Sequence, residues 1–494
     1  MIFLAYIICG LLLLSIAAAI LKWGTRSVQA DVSRSNILNS LTLWHTAVYL
    51  ILTVLALIRL PLPVLAFNNY LFMDPLAIYE VLIAETIFLL AAVYGRGYIK
   101  SLLERGEIKA ESLELFYGSF NLLMAVMVFS FFSNNLALFW ILLELTTLLS
   151  AVLIVILSAR ANIIAALKYV FIASTAMLFS VIGLIILFAT TKQASGAGTL
   201  NWTELMAMAG SLPGSLFIFA FLFCFIGFAS KAGIVPFHTW LPQAHAKAPS
   251  MVSAVLSAVL LNGGIYGVIR LYAVAHRNES WHTVSVIMIV FGTLSIAIAA
   301  FSMLPRSNLK KLIGFSSIEH MGLVLIGTGL GTPVALFWTL YHILAHSLIK
   351  ALLFFSSGIL HNQYESNRLE DMLAVLKLQP LAAWGVIIGA VAVVGMPPFP
   401  MFFSKLFILV QLGAFSIPLL IIVLILLLIV AAALATLLIR AFTQPAEKTL
   451  EPYQVDWSMK LPIAVLFVGI IGTVVYLSTG LSGILNTITA SLGF

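Results

Sequence analysis

Apolar runs of about twenty residues follow one another along almost the whole chain, parted only by short polar links. A run of that length crosses the roughly 30 Å hydrocarbon core of a bilayer as one helix. In lipid every backbone polar group must be satisfied internally, so such runs fold as helices. With 62% hydrophobic and 9% charged residues among 494, the chain is expected to be an all-α, multi-pass membrane protein. The formal charge of +7 does not indicate a nucleic-acid surface, because the basic residues are scattered over the links rather than gathered on one face.

About 14 spans are expected, near 2–21, 37–58, 74–95, 115–133, 136–158, 163–190, 215–244, 250–273, 283–303, 312–331, 333–360, 380–410, 412–442 and 461–484. The run Ile2–Leu21 has no basic residue before it and is followed by Lys22 and Arg26, so it reads as a retained helix rather than a cleaved signal. The odd-numbered links hold 17 Lys and Arg residues. The even-numbered links hold only Arg59, Lys192, Arg270 and Arg277. Positive charge stays on the cytoplasmic side, which predicts both termini outside the cell membrane of a prokaryote.

Spans 4–8 and 9–13 form two blocks of five, and an odd block length makes consecutive blocks run in opposite directions. The expected layout is a three-helix segment (1–110), a first five-helix repeat (111–278), an inverted second repeat (279–443) and a C-terminal helix (444–494). Proline supports this layout. Span 7 carries Lys231-Ala-Gly-Ile-Val-Pro236, and span 12 carries Gly395-Met-Pro397-Pro398-Phe-Pro400 followed by Ser404-Lys405. Proline removes a helical hydrogen bond and clashes with the preceding turn, so both helices should break. Each is fourth in its block, and each break lies five residues from a lysine.

Lys168, Lys231, Lys350 and Lys405 all fall inside apolar runs. A charge there costs about 2.5–3.5 kcal/mol on insertion scales, so such residues are rare, usually paired, and by default mark an ion or proton path. Glu144 lies near the centre of span 5 with no cation close on its own helix. To remain ionised it needs a partner, and Lys231 on the broken helix is the candidate. His342, His346 and Lys350 recur every four residues on one stripe of span 11, the arrangement of a proton relay. Glu319 and His320 are adjacent and point about 100° apart, so one is expected to join the relay while the other pairs locally. Lys168 is close enough to the interface to snorkel. Glu80 and Glu85 lie outside both blocks, where a contact with a neighbouring subunit is as plausible as transport. His238 and His245 flank the break in span 7 as an exit route or as packing groups. Cys9 and Cys224 cannot hold an iron–sulfur cluster or a structural zinc, which need about four ligands.

The run from Lys231 to Pro249, Lys-Ala-Gly-Ile-Val-Pro-Phe-His-Thr-Trp-Leu-Pro-Gln-Ala-His-Ala-Lys-Ala-Pro, resembles the signature of antiporter-like subunits shared by respiratory complex I, multisubunit cation/proton antiporters and membrane-bound hydrogenases. The resemblance covers roughly residues 70–440 in motif and helix order. Ser316–Gly322 and His346–Lys350 look most like the component F subunits of hydrogenase-4-type, formate hydrogenlyase-related complexes. The family implies a proton path with a lysine on each broken helix, here Lys231 and Lys405, a glutamate on span 5, here Glu144, and a span-11 histidine, His342 or His346. It implies partner membrane and peripheral subunits carrying iron–sulfur clusters and, in the hydrogenases, a nickel–iron centre, with no cofactor or active site in this chain itself. Its long lateral helix is not expected after span 14. One departure stands out: many members carry a lysine on span 8 where this chain has Asn262, so the inner link must be bridged by water or rerouted through His342 and Glu319. The alternatives are a subunit of a sodium/proton antiporter or a membrane anchor that does not pump.

Overall fold

The computed structural model describes residues 5, 6, 8, 10, 28–157, 159–305, 307–442 and 451–494. Apart from those first four residues, the expected span at 2–21, with Cys9, Lys22 and Arg26, lies outside the described residues, as do Arg306 and Lys448. The chain is nearly all helical: α1 (Val28–Arg59), a hairpin of β1 (Val64–Ala66) and β2 (Leu71–Met73), α2 (Pro75–Glu104), α3 (Leu113–Phe131), α4 (Leu136–Val155), α5 (Arg160–Ser195), a short α6 (Trp202–Met208), α7 (Gly214–Lys231), α8 (Trp240–Lys247), α9 (Ser250–Val255), α10 (Leu261–His276), α11 (Trp281–Met303), α12 (Leu309–Gly329), α13 (Pro333–Tyr364), a short α14 (Val375–Leu378), α15 (Pro380–Val394), α16 (Pro400–Phe415), α17 (Ile417–Phe442), α18 (Trp457–Val475) and α19 (Ser482–Ser491). Twelve described helical segments are long and apolar enough to cross a membrane, and α15 and α16 are two shorter apolar helices.

Both expected breaks are present. In span 7 the helix stops at Lys231 and resumes at Trp240, and in span 12 it stops at Val394 and resumes at Pro400. Each break leaves carbonyls without helical partners, and local groups replace those partners. The Trp240 indole donates to the Ser230 carbonyl at 3.1 Å, and the Ile234 amide to Ala229 at 3.0 Å. In the second break Gly395 takes φ +89°, a left-handed cap that a side chain resists, and Lys405 Nζ reaches back to the Val394 carbonyl at 3.5 Å. Lys231 is itself the last residue of α7. Both ammonium groups therefore sit at the negative end of a half-helix, an interaction worth about 0.3–1 kcal/mol in exposed helices and more when buried.

Span 8 is continuous but irregular: Leu256–Leu260 form a π-turn between α9 and α10, just before Asn262. The Ser347 hydroxyl on α13 donates to the Ala258 carbonyl inside that turn at 2.7 Å. Helices α9, α10 and α12 are buried nearly all round and form the centre, whereas α1, α17 and α18 expose much of their surface. The links at one end pack together: β2 bridges to Ser133, and Asn135 bridges to Asn201. The C-terminal Phe494 stacks on His276 at that same end, with ring centroids 4.3 Å apart. At the opposite end Asn308 bridges to Arg368.

Candidate functional site

The ionisable groups that the sequence scatters over six spans meet along the centre of the molecule. In the first half, Glu144 on α4 faces Lys231 at the end of α7, Oε2 to Nζ 3.7 Å. Lys231 is 3% exposed, and its ammonium makes no hydrogen bond to the protein. Glu144 is also held by hydroxyls, one on each oxygen. Thr147 donates at 3.3 Å and Ser174 on α5 donates to Oε1. A cavity of about 310 Å³ lined by Glu144, Ser174, Thr175 and the exposed Phe171 and Leu178 opens from this carboxylate to the outside of the subunit.

Helix α10 reaches the pair through glycine. A Cβ on Gly264 would stand 2.5 Å from the Phe228 carbonyl oxygen and 3.0 Å from Lys231 Cβ, so only glycine allows this approach. It sets Asn262 about half a turn from the Lys231 contact. The Asn262 amide donates to Glu80 at 3.1 Å and to Ser347 at 3.2 Å. Glu80, on α2 and 1% exposed, thus sets a carboxyl against Asn262 of span 8.

Beyond Ser347 the line becomes imidazole. The His320 ring lies 5.1 Å from His342 and 5.5 Å from His346, so the two α13 histidines are bridged from α12 rather than stepping directly along their own stripe. His342 Nδ1 is 2.8 Å from the Ser404 hydroxyl, its Nε2 is 3.1 Å from His320 Nδ1, and His320 Nε2 is 3.2 Å from Glu319 Oε2. A neutral imidazole donates from one nitrogen and accepts at the other. His320 Nε2 and Glu319 Oε2 are close but not aligned for a hydrogen bond. A small rotation that aligns them gives the file two polarities, with every donor directed toward Glu319 or every donor directed toward Ser404. In the second state an extra proton must lie between His320 and Glu319. One proton passing through switches the file from one state to the other.

Glu319 also pairs with Lys405 at 3.0 Å. Glu319 and His320 both belong to the network, contrary to the expectation that one would pair elsewhere. Their Cβ directions diverge, but the flexible Glu319 side chain folds back beside the neighbouring ring. Lys350 does not stack on His346; it donates to the Ile313 carbonyl at 3.0 Å and to the Ser316 hydroxyl. Both ring nitrogens of His346 lack a hydrogen-bond partner. Lys168 is exposed on the side of α5, away from this line.

One end of the molecule offers access. A cavity of about 370 Å³ is lined by Glu107, Lys247, Lys310, His361 and Asn367. Burial opposes ionisation of Glu107, but the hydrogen bond and charge of His361, then Arg105 and Lys310, outweigh it and hold the carboxyl below its usual range. Behind Lys310 lies His245, fully buried, stacked on Phe354 at 4.8 Å and with neither ring nitrogen hydrogen-bonded. It feels the charges of Lys350 and Lys310. His238 is a local group whose Nδ1 sits 3.2 Å from the Pro236 carbonyl. Among the described residues no cluster of His, Cys, Asp and Glu is arranged to hold a metal.

Sequence reasoning missed three contacts. The Glu319–Lys405 pair repeats the pairing of a glutamate with a lysine two spans further on seen in Glu144–Lys231, so the order of the spans itself carried the signal. Glu80 against Asn262 had no local signal. Nor had Asp74 and Arg270, whose buried bidentate pair at 2.5 and 2.8 Å is roofed by Trp202 and ties α2 to α10.

Residues 133–431 match the family described as NADH:quinone oxidoreductase/Mrp antiporter, TM. A hydrogenase-4 component F homolog of Methylacidiphilum infernorum is 29% identical over 344 residues, 69% of this chain and 72% of that protein. NADH-quinone oxidoreductase subunit N of Desulforudis audaxviator is 28% identical over 420 residues, 81% of each chain. A chain of the membrane-bound sulfane sulfur reductase, an archaeal respiratory membrane complex, superposes with a TM-score of 0.83 over 98% of this chain and 97% of its own, at 19% identity, a likeness of fold. The matched region takes in both broken helices, Glu144 and the histidine file, and this chain belongs to the NADH:quinone oxidoreductase/Mrp antiporter transmembrane family.

Proposed function

We propose that this protein is the antiporter-like, proton-translocating subunit of a redox-driven membrane assembly of the group 4 hydrogenase or complex I type. The observation that carries this reading is the succession of ionisable and hydrogen-bonding groups from Glu144 and Lys231, through Glu80, Asn262 and Ser347, to the histidine file and the Glu319–Lys405 pair. The names of the relatives, a hydrogenase-4 component and a quinone oxidoreductase subunit, point to the kind of assembly. Iron–sulfur clusters and, in a hydrogenase, a nickel–iron centre belong to partner subunits. Residues 111–278 and 279–443 act as inverted halves flanked by 1–110 and 444–494. The odd-numbered links face the cytoplasm, so the Glu107–Lys310 cavity is the uptake vestibule, leading through His245 to Lys350.

Electron transfer in a partner changes the charge beside the exposed edge of Glu144 and draws the carboxylate from Lys231. Their attraction at 3.7 Å is about 4 kcal/mol at an effective dielectric constant near 20. Moving one proton against about 150 mV requires about 3.5 kcal/mol, so opening one such pair is energetically commensurate with one transported proton. Lys231, left without its counter-ion in an apolar site, gives its proton toward Glu80 and the α13 histidines. The file changes polarity, and the proton arrives between Glu319 and Lys405.

Lys231→Ala tests this in the assembled complex. Coupled pumping is expected to vanish while electron transfer persists in part. An unchanged proton-to-electron ratio would overturn the proposal, and sodium-dependent exchange in proteoliposomes without an electron donor would replace it with a secondary antiporter.

A further inference from the structure

A second polar file runs between α1, α2 and α3, outside the line just described. At the end expected to face the cytoplasm, Arg34 pairs with Glu114. A cavity of about 50 Å³, room for one or two waters, extends inward from Glu114 past Tyr117 to Asn121 and His45. Asn121 Nδ2 donates to Thr42 at 2.8 Å and to the Tyr117 carbonyl at 2.7 Å, so its Oδ1 accepts from His45 Nδ1 at 2.8 Å. That bond fixes the tautomer, and the bare Nε2, which has no partner, is left to take a proton. Tyr49 packs between the rings of His45 and Tyr6, at 4.6 and 4.9 Å. Beyond it the Tyr6 hydroxyl meets Thr53, and Thr53 donates to Glu85 Oε1 at 2.9 Å. Glu85 is fully buried, its Oε2 has no hydrogen-bond partner, and among the described residues no cation pairs with it. Glu80, the partner of Asn262, is five residues away on the same helix, about 8 Å along its axis and about 140° round it, so the last transfer has to pass round α2.

If these groups served only to pack α1 against α2, amides and hydroxyls would suffice. A carboxyl without a counter-ion and a histidine with an unused nitrogen add cost and no contact. We propose that α1–α3 form a second proton-uptake branch, with His45 and Glu85 as carriers and Asn121 and Thr53 as positioning residues, delivering to Glu80. This rests on the translocation reading above. A proton entering the cavity binds His45 Nε2 and leaves from the same nitrogen, because Nδ1 stays engaged with Asn121. A water has to carry it past Tyr49, whose hydroxyl donates to the Tyr6 carbonyl at 2.9 Å, to the Tyr6 hydroxyl. Tyr6 and Thr53 each accept one proton and pass on their own, so only the Glu85 carboxylate gains one.

The test is the initial pumping rate of the complete complex in membrane vesicles. Gly118→Val plugs the cavity at a position where an added Cβ meets no neighbour. Glu85→Gln and His45→Phe remove the carriers. Each is expected to slow pumping roughly five- to tenfold, less than the ~10²-fold typical for an obligatory acid–base group because the Glu107 vestibule stays open. Glu85→Asp should recover part of the rate. Rates equal to wild type for Gly118→Val and Glu85→Gln, in complexes that assemble normally and still lose pumping on Lys231→Ala, overturn this branch alone. Normal pumping by Lys231→Ala overturns the parent reading instead.

Discussion

The two halves of the molecule hold the same kind of ion pair in different surroundings. Glu144–Lys231 is separated by 3.7 Å, with the carboxylate 19% exposed and shared with two hydroxyls. Lys405–Glu319 is separated by 3.0 Å, the carboxylate is fully buried, and an imidazole stands on its far side. Distance alone makes little difference: at an effective dielectric constant near 20 the two attractions differ by only about 1 kcal/mol. Access and replacement partners make the larger difference. If Glu144 swings away, Ser174 and Thr147 accompany it and solvent or a neighbouring subunit can meet it. Glu319 has no such alternative, because it is enclosed by Lys405 and His320. On the proposed mechanism the first pair is the one that opens, and the second the one that holds a proton that has arrived.

The largest expected contrast follows from that enclosure. Glu319→Gln leaves a buried ammonium without its counter-ion, which costs about 3–5 kcal/mol, so pumping should disappear and the melting temperature of the purified subunit should fall clearly. Glu144→Gln should also abolish pumping but cost less stability, because the carboxylate it removes is 19% exposed and 3.7 Å rather than 3.0 Å from its lysine, even though Lys231 is itself buried. Thermal unfolding of the two variants side by side checks this, and equal losses would erase the distinction between the halves. Asp74→Ala is a control with the opposite character. It breaks a rigid bidentate pair away from the proton line, so it should destabilise by a similar 3–5 kcal/mol while leaving the proton-to-electron ratio of the surviving complexes unchanged.

A middle-sized effect is expected at the centre. Glu80→Gln keeps a hydrogen-bond partner for Asn262 but removes its carboxyl, and it should slow pumping less than Glu144→Gln does. The reverse order, measured as pumping rate at equal complex content, would move the main axis to α2.

What the sequence revealed follows from how local each signal is. Proline beside a lysine inside an apolar run locates a broken helix without reference to anything else, and a lone mid-span glutamate demands a cation, so both breaks and the Glu144–Lys231 pair were legible. The histidine file was only half legible. Four-residue spacing puts His342 and His346 on one stripe, but their bridge, His320, comes from another helix at an angle no periodicity encodes. Adjacent positions were expected to exclude each other, which holds for Cβ vectors and fails for a side chain as long as that of Glu319. Asp74 and Arg270 sat at span ends, where charges read as ordinary link residues. Their mutual burial depends on how α2 packs against α10.

The smallest effect concerns the hydroxyls that steady each half. Ser174→Ala removes one donor from Glu144, and Ser404→Ala removes the partner of His342 Nδ1. A single hydrogen bond of this kind contributes about 0.5–1.5 kcal/mol, or up to about 3 when one partner is charged. Losing Ser174 withdraws support from the carboxylate as it leaves Lys231, so it should raise the barrier to opening and slow pumping up to about tenfold. Losing Ser404 removes the group on which one polarity of the histidine file ends. Protons should then reach Glu319 but reset the file slowly, so the first turnover after a redox pulse should stay near the wild-type rate while steady pumping slows. Comparing single-turnover with steady-state proton release separates the two variants: slowing of the first turnover is the signature of the half that opens, and slowing only of later turnovers is the signature of the half that holds.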